Sequence, residues 1–132
     1  MSDAVIICIA LMGALIFVLG ANVTRHRALR GKSGGPQMST DPTDQLFIAQ
    51  RAHGNASEYV PTLIGLLIVC STLTDGWWLN TVAIAATAAR YVHAYGMLTS
   101  KSLAEHGPTR DAGAMFTYLS GLALAVTAIA SL

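Results

Sequence analysis

Residues 45–73 read QLFIAQRAHGNASEYVPTLIGLLIVCSTL, and this stretch decides the fold. Its apolar part, Tyr59 to Leu73, has only about 15 residues, whereas a helix needs roughly 20 to cross the hydrocarbon core of a bilayer. We therefore predict one helix that begins near Gln45 and draws the polar turn from Arg51 to Glu58 into or against the membrane.

Three further apolar stretches flank this segment. We place their membrane spans at about residues 4–23, 78–98 and 110–131, with Trp77 and Trp78 at the headgroup level, where aromatic residues concentrate. Only 11% of the 132 residues are charged, against about 25% in a soluble domain. The sequence therefore predicts an all-α integral membrane protein in which residues 1–132 form a single four-helix domain.

The connections between the spans are polar. Residues 24–44 are rich in arginine and contain Gly34-Gly35-Pro36, so we expect an irregular, solvated loop. Asp75-Gly76 predicts a short turn, and residues 100–109 predict a polar loop. The first span is interpreted as retained rather than as a signal peptide, because its positive charges follow the apolar run instead of preceding it.

The basic residues predict the orientation in the membrane. All eight lysines and arginines fall in the first and third loops or toward the same ends of their spans: Arg25, Arg27, Arg30, Lys32, Arg51, Arg90, Lys101 and Arg110. By the positive-inside rule, these loops face the cytoplasm and both termini face the other side. We expect a bacterial inner membrane. The net charge of +1 gives no basic surface for nucleic acid.

Small residues predict close helix packing. On the fourth span, Gly113, Thr117, Gly121 and Ala125 recur every four residues and form a smooth stripe that another helix can approach. Ala83, Ala86 and Ala89 have a similar arrangement on the third span.

Cysteine and histidine give no sign of a metal site. Cys8 and Cys70 lie inside apolar runs and are interpreted as small buried hydrophobic residues. The four histidines lack metal-ligand spacing and no cysteine joins them, so no metal is predicted.

Ionisable residues inside the spans carry the functional signal. At about 100° per residue, Asn55, Glu58 and Thr62 all lie within about 40° of Arg51 on one helix face. Arg90 and His93 form a second polar face on the third span. Intramembrane charges mark functional sites by default, and a net-positive pocket suits an anionic ligand with carboxylates or a thiolate.

Two simpler interpretations remain open at this point. Arg110, which begins the fourth span, is also placed where an arginine can extend to the interface. Glu58 also fits an internal partner of Arg90 or Arg51 that only holds two helices together.

The segment RAHGNASEYVP, residues 51–61, resembles the signature Arg-Ala-x-x-Asn-x-x-Glu-x-x-Pro of the MAPEG family. These are membrane-associated proteins of eicosanoid and glutathione metabolism, including microsomal glutathione transferases and the leukotriene C and prostaglandin E synthases. RYVH at residues 90–93 and PTR at residues 108–110 match as well. The resemblance covers essentially the whole chain.

The resemblance implies homotrimers of four-helix subunits, with glutathione bound between neighbouring subunits near the cytoplasmic face. The residues that it implies for glutathione are Arg51, Asn55, Glu58, Tyr59, Arg90 and His93, with Glu58 on the amino group and the arginines on the carboxylates. It also implies that Arg110 stands beside the sulfur and stabilises the thiolate.

A basic residue near the end of the first span of the next subunit usually completes the site in this family. Arg25, His26 and Arg27 are the candidates in this chain, and the resemblance does not choose among them.

The chain departs from the family pattern at two positions. Met97 stands where several members have a tyrosine, and Tyr95 points about 140° away from Arg90, so it does not substitute. Asp111 follows Arg110 where a prostaglandin synthase has serine. The Asp111 carboxylate is placed to pair with Arg110, which would weaken the effect of Arg110 on a thiol.

Three functions follow from these observations. The leading one is a glutathione-dependent transferase or peroxidase that acts on lipophilic electrophiles from the bilayer. Met97 and Asp111 motivate the second, a catalytically weak protein that binds glutathione or lipid. The third is a small proton-coupled transporter, although Glu58 lies near one face rather than at the midplane. The lipid-facing residues do not identify the electrophile.

Overall fold

The computed structural model describes residues 1–74 and 76–132, which form four α-helices. These are α1 (Asp3–Lys32), α2 (Gln45–Leu73), α3 (Trp77–Leu98) and α4 (Pro108–Ala130). The helix that was predicted to begin near Gln45 does begin there, because Asp44 caps its first turn by accepting a hydrogen bond from the Leu46 N–H. Asp75 of the predicted second turn lies outside the described residues.

The first helix is longer than predicted. We expected a loop from residue 24, but α1 continues to Lys32. The reason is that residues 24–30 contain neither glycine nor proline, so nothing there interrupts the helix. It ends where Gly34 adopts a left-handed backbone (φ 71°), which terminates a helix at little cost for glycine.

The central helices are α2 and α3. They pack against each other, and each of them also contacts α1 and α4. Within the described helices, α1 and α4 do not contact each other. The core between them is built from residues such as Met12, Leu67, Ala83, Ala86 and Leu124. The small alanines of α3 are buried, as predicted from their spacing.

The outer surface of the bundle is strongly apolar. Large side chains such as Phe17, Ile84, Leu122 and Val126 are exposed there. By length and composition, α1, α2 and α4 can cross a membrane. The 22-residue α3 is long enough, but its buried face carries Arg90 and His93 and the helix is less apolar.

The backbones of α3 and α4 approach closely at two glycines. A Cβ atom at Gly113 would lie 2.5 Å from the His93 nitrogen, and one at Gly96 would lie 2.6 Å from the Arg110 nitrogen. The smooth stripe predicted on α4 therefore packs against α3 at its first member, and it fixes the backbones of His93 and Arg110 relative to each other.

The first and third loops meet at one end of the bundle. The Leu103 N–H donates to the Pro42 carbonyl (3.0 Å), and Arg30 at the end of α1 pairs with Asp44. The hydrogen bond from Arg30 is the main cause that lowers the pKa of Asp44 from its ordinary 3.8 to about 2.

Gly113→Ala is expected to destabilise the protein by about 1–3 kcal/mol, because the new methyl group must displace the α3 backbone. Gly13→Ala is the matched control, since a Cβ at Gly13 meets nothing within 4 Å. That change should be neutral or stabilise by up to about 1 kcal/mol, as alanine is the better helix former. Thermal unfolding in detergent measures both, and equal effects would contradict the close approach.

Asp44→Asn is expected to destabilise the protein above pH 4 and to have little effect near pH 2. The pKa of Asp44 is lower in the folded state, so its carboxylate adds stability above about 3.8 that is lost as the pH falls toward about 2. Unfolding of both proteins is measured between these pH values. Asp3→Asn, which removes a carboxylate without an ion pair in the described structure, is the control and should show no such convergence.

Candidate functional site

Arg90 on α3 lies at the centre of a polar cluster that it forms with Asn55, Tyr59 and Thr117. Its side chain is only 1% exposed, and its guanidinium donates to Asn55 Oδ1 on α2 (2.6 Å) and to Thr117 Oγ1 on α4 (3.4 Å). The guanidinium carbon lies 5.5 Å from the centre of the Tyr59 ring. One buried arginine therefore joins three helices, and its Nε has no partner in the described structure.

The charge of Arg90 is not compensated. The ion pairs among residues 1–74 and 76–132 are Arg30–Asp44, His106–Asp111 and Arg110–Asp111. A buried cation without a counter-ion costs several kcal/mol. The uncompensated charge of Arg90 therefore favours an anion in its vicinity.

Arg51 and Glu58 share the α2 face with Asn55, but both side chains are exposed at the outside of the bundle. Neither takes part in an ion pair of the described residues, so the interpretation of Glu58 as an internal partner of Arg90 or Arg51 finds no support. Among the described residues, Arg90 is the arginine that donates a hydrogen bond to Asn55, so the polar faces of α2 and α3 meet at this pair.

His93 connects α3 to the start of α4. Its Nδ1 lies 2.8 Å from the carbonyl oxygen of Arg110, and since a carbonyl only accepts, Nδ1 carries the proton. Its Nε2 is buried and has no partner in the part of the chain that the structure describes. His93 and Arg90 thus leave two buried polar atoms available at neighbouring positions on α3.

The guanidinium of Arg110 is bound by the third loop. It donates to the carbonyl oxygens of Glu105 (2.7 Å) and Leu103 (3.4 Å). Its Nε lies 3.8 Å from Asp111, as the adjacent charges suggested, and Asp111 also contacts His106 at 3.0 Å. Arg110 therefore lies nearer the loop end of the bundle than Arg90 does.

The candidates from the first helix lie elsewhere. Arg25 is exposed, whereas Arg27 lines a 690 Å³ groove between α1 and α2 together with His53, Gln50 and Met38. This groove is on the opposite side of α2 from Asn55, because His53 and Asn55 are about 200° apart on the helix. Within one chain, the structure does not bring Arg25 or Arg27 to Arg90.

Sequence reasoning missed Tyr118 on α4. Its hydroxyl lies 3.4 Å from that of Tyr59, and both rings line a 450 Å³ groove between α2 and α4. A tyrosine within an apolar span needs a partner for its hydroxyl, which is the signal that would have identified it. Met97 is buried and Tyr95 is 65% exposed.

The described residues contain no group of histidine, cysteine and acidic side chains that holds a metal ion. Cys8 and Cys70 are buried and free, in agreement with their interpretation as small hydrophobic residues.

The model of the MAPEG family matches residues 5–130, nearly the whole chain. No curated protein matches it.

Asn55→Leu is expected to destabilise the unliganded protein by about 1.5–3 kcal/mol, because it leaves the buried guanidinium of Arg90 without its shortest hydrogen bond. Asn80→Leu is the control, since Asn80 accepts only an exposed bond from Ser2 and should lose less than about 0.5 kcal/mol. Chemical unfolding in detergent compares the two. Equal losses would show that Arg90 does not depend on Asn55.

Proposed function

The chain belongs to the MAPEG family, and from that premise we propose that it is a membrane-bound glutathione-dependent transferase or peroxidase. It conjugates or reduces lipophilic electrophiles through a glutathione thiolate that an arginine stabilises. The observation that carries this proposal is Arg90, which is buried without an acidic partner among the described residues.

The charges of glutathione are complementary to those of the proposed site. Its two carboxylates can pair with the guanidinium groups, and its ammonium group can pair with the carboxylate of Glu58. Bidentate pairing with arginine is the strongest way to bind a carboxylate. We propose that Arg51, Asn55, Glu58 and Tyr59 hold the glutathione backbone, with Glu58 on its amino group.

We propose that Arg90 and His93 contact the same ligand. The unpartnered Nε of Arg90 is a donor and the Nε2 of His93 is an acceptor, so together they suit a ligand that both accepts and donates hydrogen bonds. A ligand there also supplies the negative charge that Arg90 requires.

Arg110 is proposed as the residue that stabilises the thiolate. A guanidinium has five N–H donors, and the hydrogen bonds of Arg110 use two of its nitrogens, for Leu103 and Glu105. The remaining donors allow it to approach a sulfur without releasing the loop. The nearby cation favours the thiolate, which is the nucleophilic form.

We propose a homotrimer in which neighbouring subunits complete the site. Arg51 and Glu58 are charged and exposed at the outer face, where lipid alone would leave them unpaired. The groove that contains Arg27 opens on another face of the same chain, so a neighbouring copy can present Arg25 or Arg27 to Arg51.

The proposed orientation puts the basic loops in the cytoplasm and both termini on the other side of a bacterial inner membrane. The meeting of the first and third loops at one end of the bundle supports it, because the basic residues of both loops then lie on one side.

The second candidate is a protein that binds glutathione or lipid with weak catalysis. The specific observation in its favour is that Arg110 is engaged by the third loop and lies 3.8 Å from Asp111. A carboxylate so close offsets part of the field that a thiolate needs. Glutathione binding without turnover of any electrophile would favour this candidate.

Titration with glutathione is expected to produce thiolate absorbance in the ultraviolet, which Arg110→Ala should abolish with little loss of affinity. Arg51→Ala should weaken glutathione binding by about tenfold or more, since a charged hydrogen bond to a carboxylate is lost. Lys101→Ala, which removes an exposed cation of the third loop, is the control for both measurements. Absence of thiolate absorbance in the unmodified protein, or its persistence in Arg110→Ala, would contradict the thiolate mechanism.

A further inference from the structure

The carboxylate of Asp111 lies between two basic side chains at the start of α4. Its Oδ2 lies 3.0 Å from the Nδ1 of His106, whereas its Oδ1 lies 3.8 Å from the Nε of Arg110. The first distance is that of a hydrogen bond, and the second is too long for one. Asp111 is therefore bound to His106 and faces Arg110 across a longer gap.

The contact between His106 and Asp111 exists in two protonation states. A carboxylate only accepts hydrogen bonds, so the Nδ1 of His106 carries a proton. Both the neutral Nδ1–H tautomer and the imidazolium provide this proton. The neutral ring orients the carboxylate, and the imidazolium also compensates its charge through a stronger, charge-assisted bond.

Arg110 is held in place opposite this carboxylate. Its terminal nitrogens donate to the carbonyl oxygens of Leu103 and Glu105, and its backbone lies against Gly96 of α3. The Nε takes part in neither of these bonds, so its N–H faces Asp111. A carboxylate that turned toward this donor would occupy it and offset the charge of the guanidinium. The position of the Asp111 carboxylate therefore determines how much of the field of Arg110 reaches a thiolate beside it.

Other ionisable side chains do not replace His106 in this contact. The ion pairs of the described residues that include Asp111 are those with His106 and Arg110. The surrounding elements carry His93 and Arg90 on α3, Arg51 and Glu58 on α2, and Lys101 and Glu105 in the third loop. Of these, His93 is bound through its Nδ1 to the carbonyl oxygen of Arg110. His106 is therefore the group through which a change of protonation reaches Asp111 most directly.

We propose that His106 is a positioning residue for Arg110, because it holds the Asp111 carboxylate away from the Nε–H. The field of Arg110 then remains available to the thiolate of bound glutathione. The affected step is the ionisation of the thiol, in which the S–H bond breaks and the proton passes to solvent. This assignment rests on the proposed function and adds to it a residue that regulates formation of the thiolate.

The charge of His106 makes this effect depend on pH. Histidine is the side chain whose charge ordinarily changes between about pH 5 and 8. At lower pH the imidazolium adds positive charge, which favours the thiolate and lowers the pKa of the bound thiol. As the pH rises, this contribution is lost and the orienting hydrogen bond remains. The His106 side chain is 99% exposed, so it exchanges protons with solvent directly and its replacement leaves the core unchanged.

The first test follows the thiolate absorbance of saturating glutathione between pH 5 and 9. His106→Ala removes both the donor and the charge, and we expect it to raise the pKa of the bound thiol by about 0.5, the scale of an exposed ion pair. Lys101→Ala is the control, since it removes an exposed cation of the third loop that forms no ion pair among the described residues, and it should have a clearly smaller effect. A thiol pKa that is unchanged or lowered in His106→Ala would overturn the assignment.

A conservative variant separates the charge from the hydrogen bond. His106→Asn keeps an N–H donor near the position of Nδ1 but does not titrate. Its thiolate absorbance should be about twofold lower than that of the unmodified protein near pH 5.5 and equal to it above pH 8, where a histidine is neutral. Equal absorbance of the two proteins at pH 5.5 would contradict the regulation by pH.

The third test asks whether His106 acts through Asp111. Asp111→Asn keeps the shape and removes the charge, so it should lower the thiol pKa by about 0.5. In this background His106→Ala should retain less than half of its effect, because no carboxylate remains to be held. Glu105→Gln is the control for the loss of a carboxylate, since the Glu105 side chain forms no ion pair among the described residues and its carbonyl group is retained. The full effect of His106→Ala in both backgrounds would overturn the assignment.

The proposed function and the role of His106 fail in different ways. If the unmodified protein produces no thiolate absorbance at any of these pH values, the proposed function fails and the role of His106 fails with it. If the unmodified protein forms the thiolate and neither His106→Ala nor Asp111→Asn changes the thiol pKa, only the role of His106 fails.

Discussion

The structure depends on one buried cation. Arg90 reaches Asn55 on α2 and Thr117 on α4 from its position on α3, so a single guanidinium determines how three helices meet. Leaving this charge without an acidic partner among the described residues is unfavourable in an apolar bundle. Arg90 therefore lowers the stability of the unliganded protein and at the same time attracts anions. Ionisable residues inside membrane spans usually mark functional sites.

Most of the architecture could be predicted from the sequence because a bilayer restricts the possible answers. The apolar run from Tyr59 to Leu73 is too short to span a bilayer, which predicts one longer helix that includes the polar turn, as α2 does. Helical periodicity then places Asn55 on one face and His53 on the other. The extension of α1 to Lys32 was not predicted. The polar composition of residues 24–30 suggested a loop, but the segment contains no glycine or proline that would interrupt the helix.

The site was less predictable than the fold because it depends on side-chain direction. Arg90 and Asn55 form a hydrogen bond, but within the described chain Arg51 is exposed at the outside of α2. Arg110 is engaged by carbonyl groups of the third loop, and periodicity carries no information about such loop contacts. Tyr118 was missed because a tyrosine among apolar residues looks like lipid-facing surface until its hydroxyl is seen beside that of Tyr59.

The contact of Gly113 and Gly96 with the opposite backbones has a consequence for how this family member can change. Because main-chain atoms hold α3 against α4, the start of α4 keeps its place whichever side chains surround it. Residues such as Asp111 and His106 can therefore be exchanged to adjust the local charge while the anchor point of Arg110 stays fixed. The charge at the start of α4 and the packing of α3 against α4 therefore depend on different residues, so the charge there can change while this helix contact is retained.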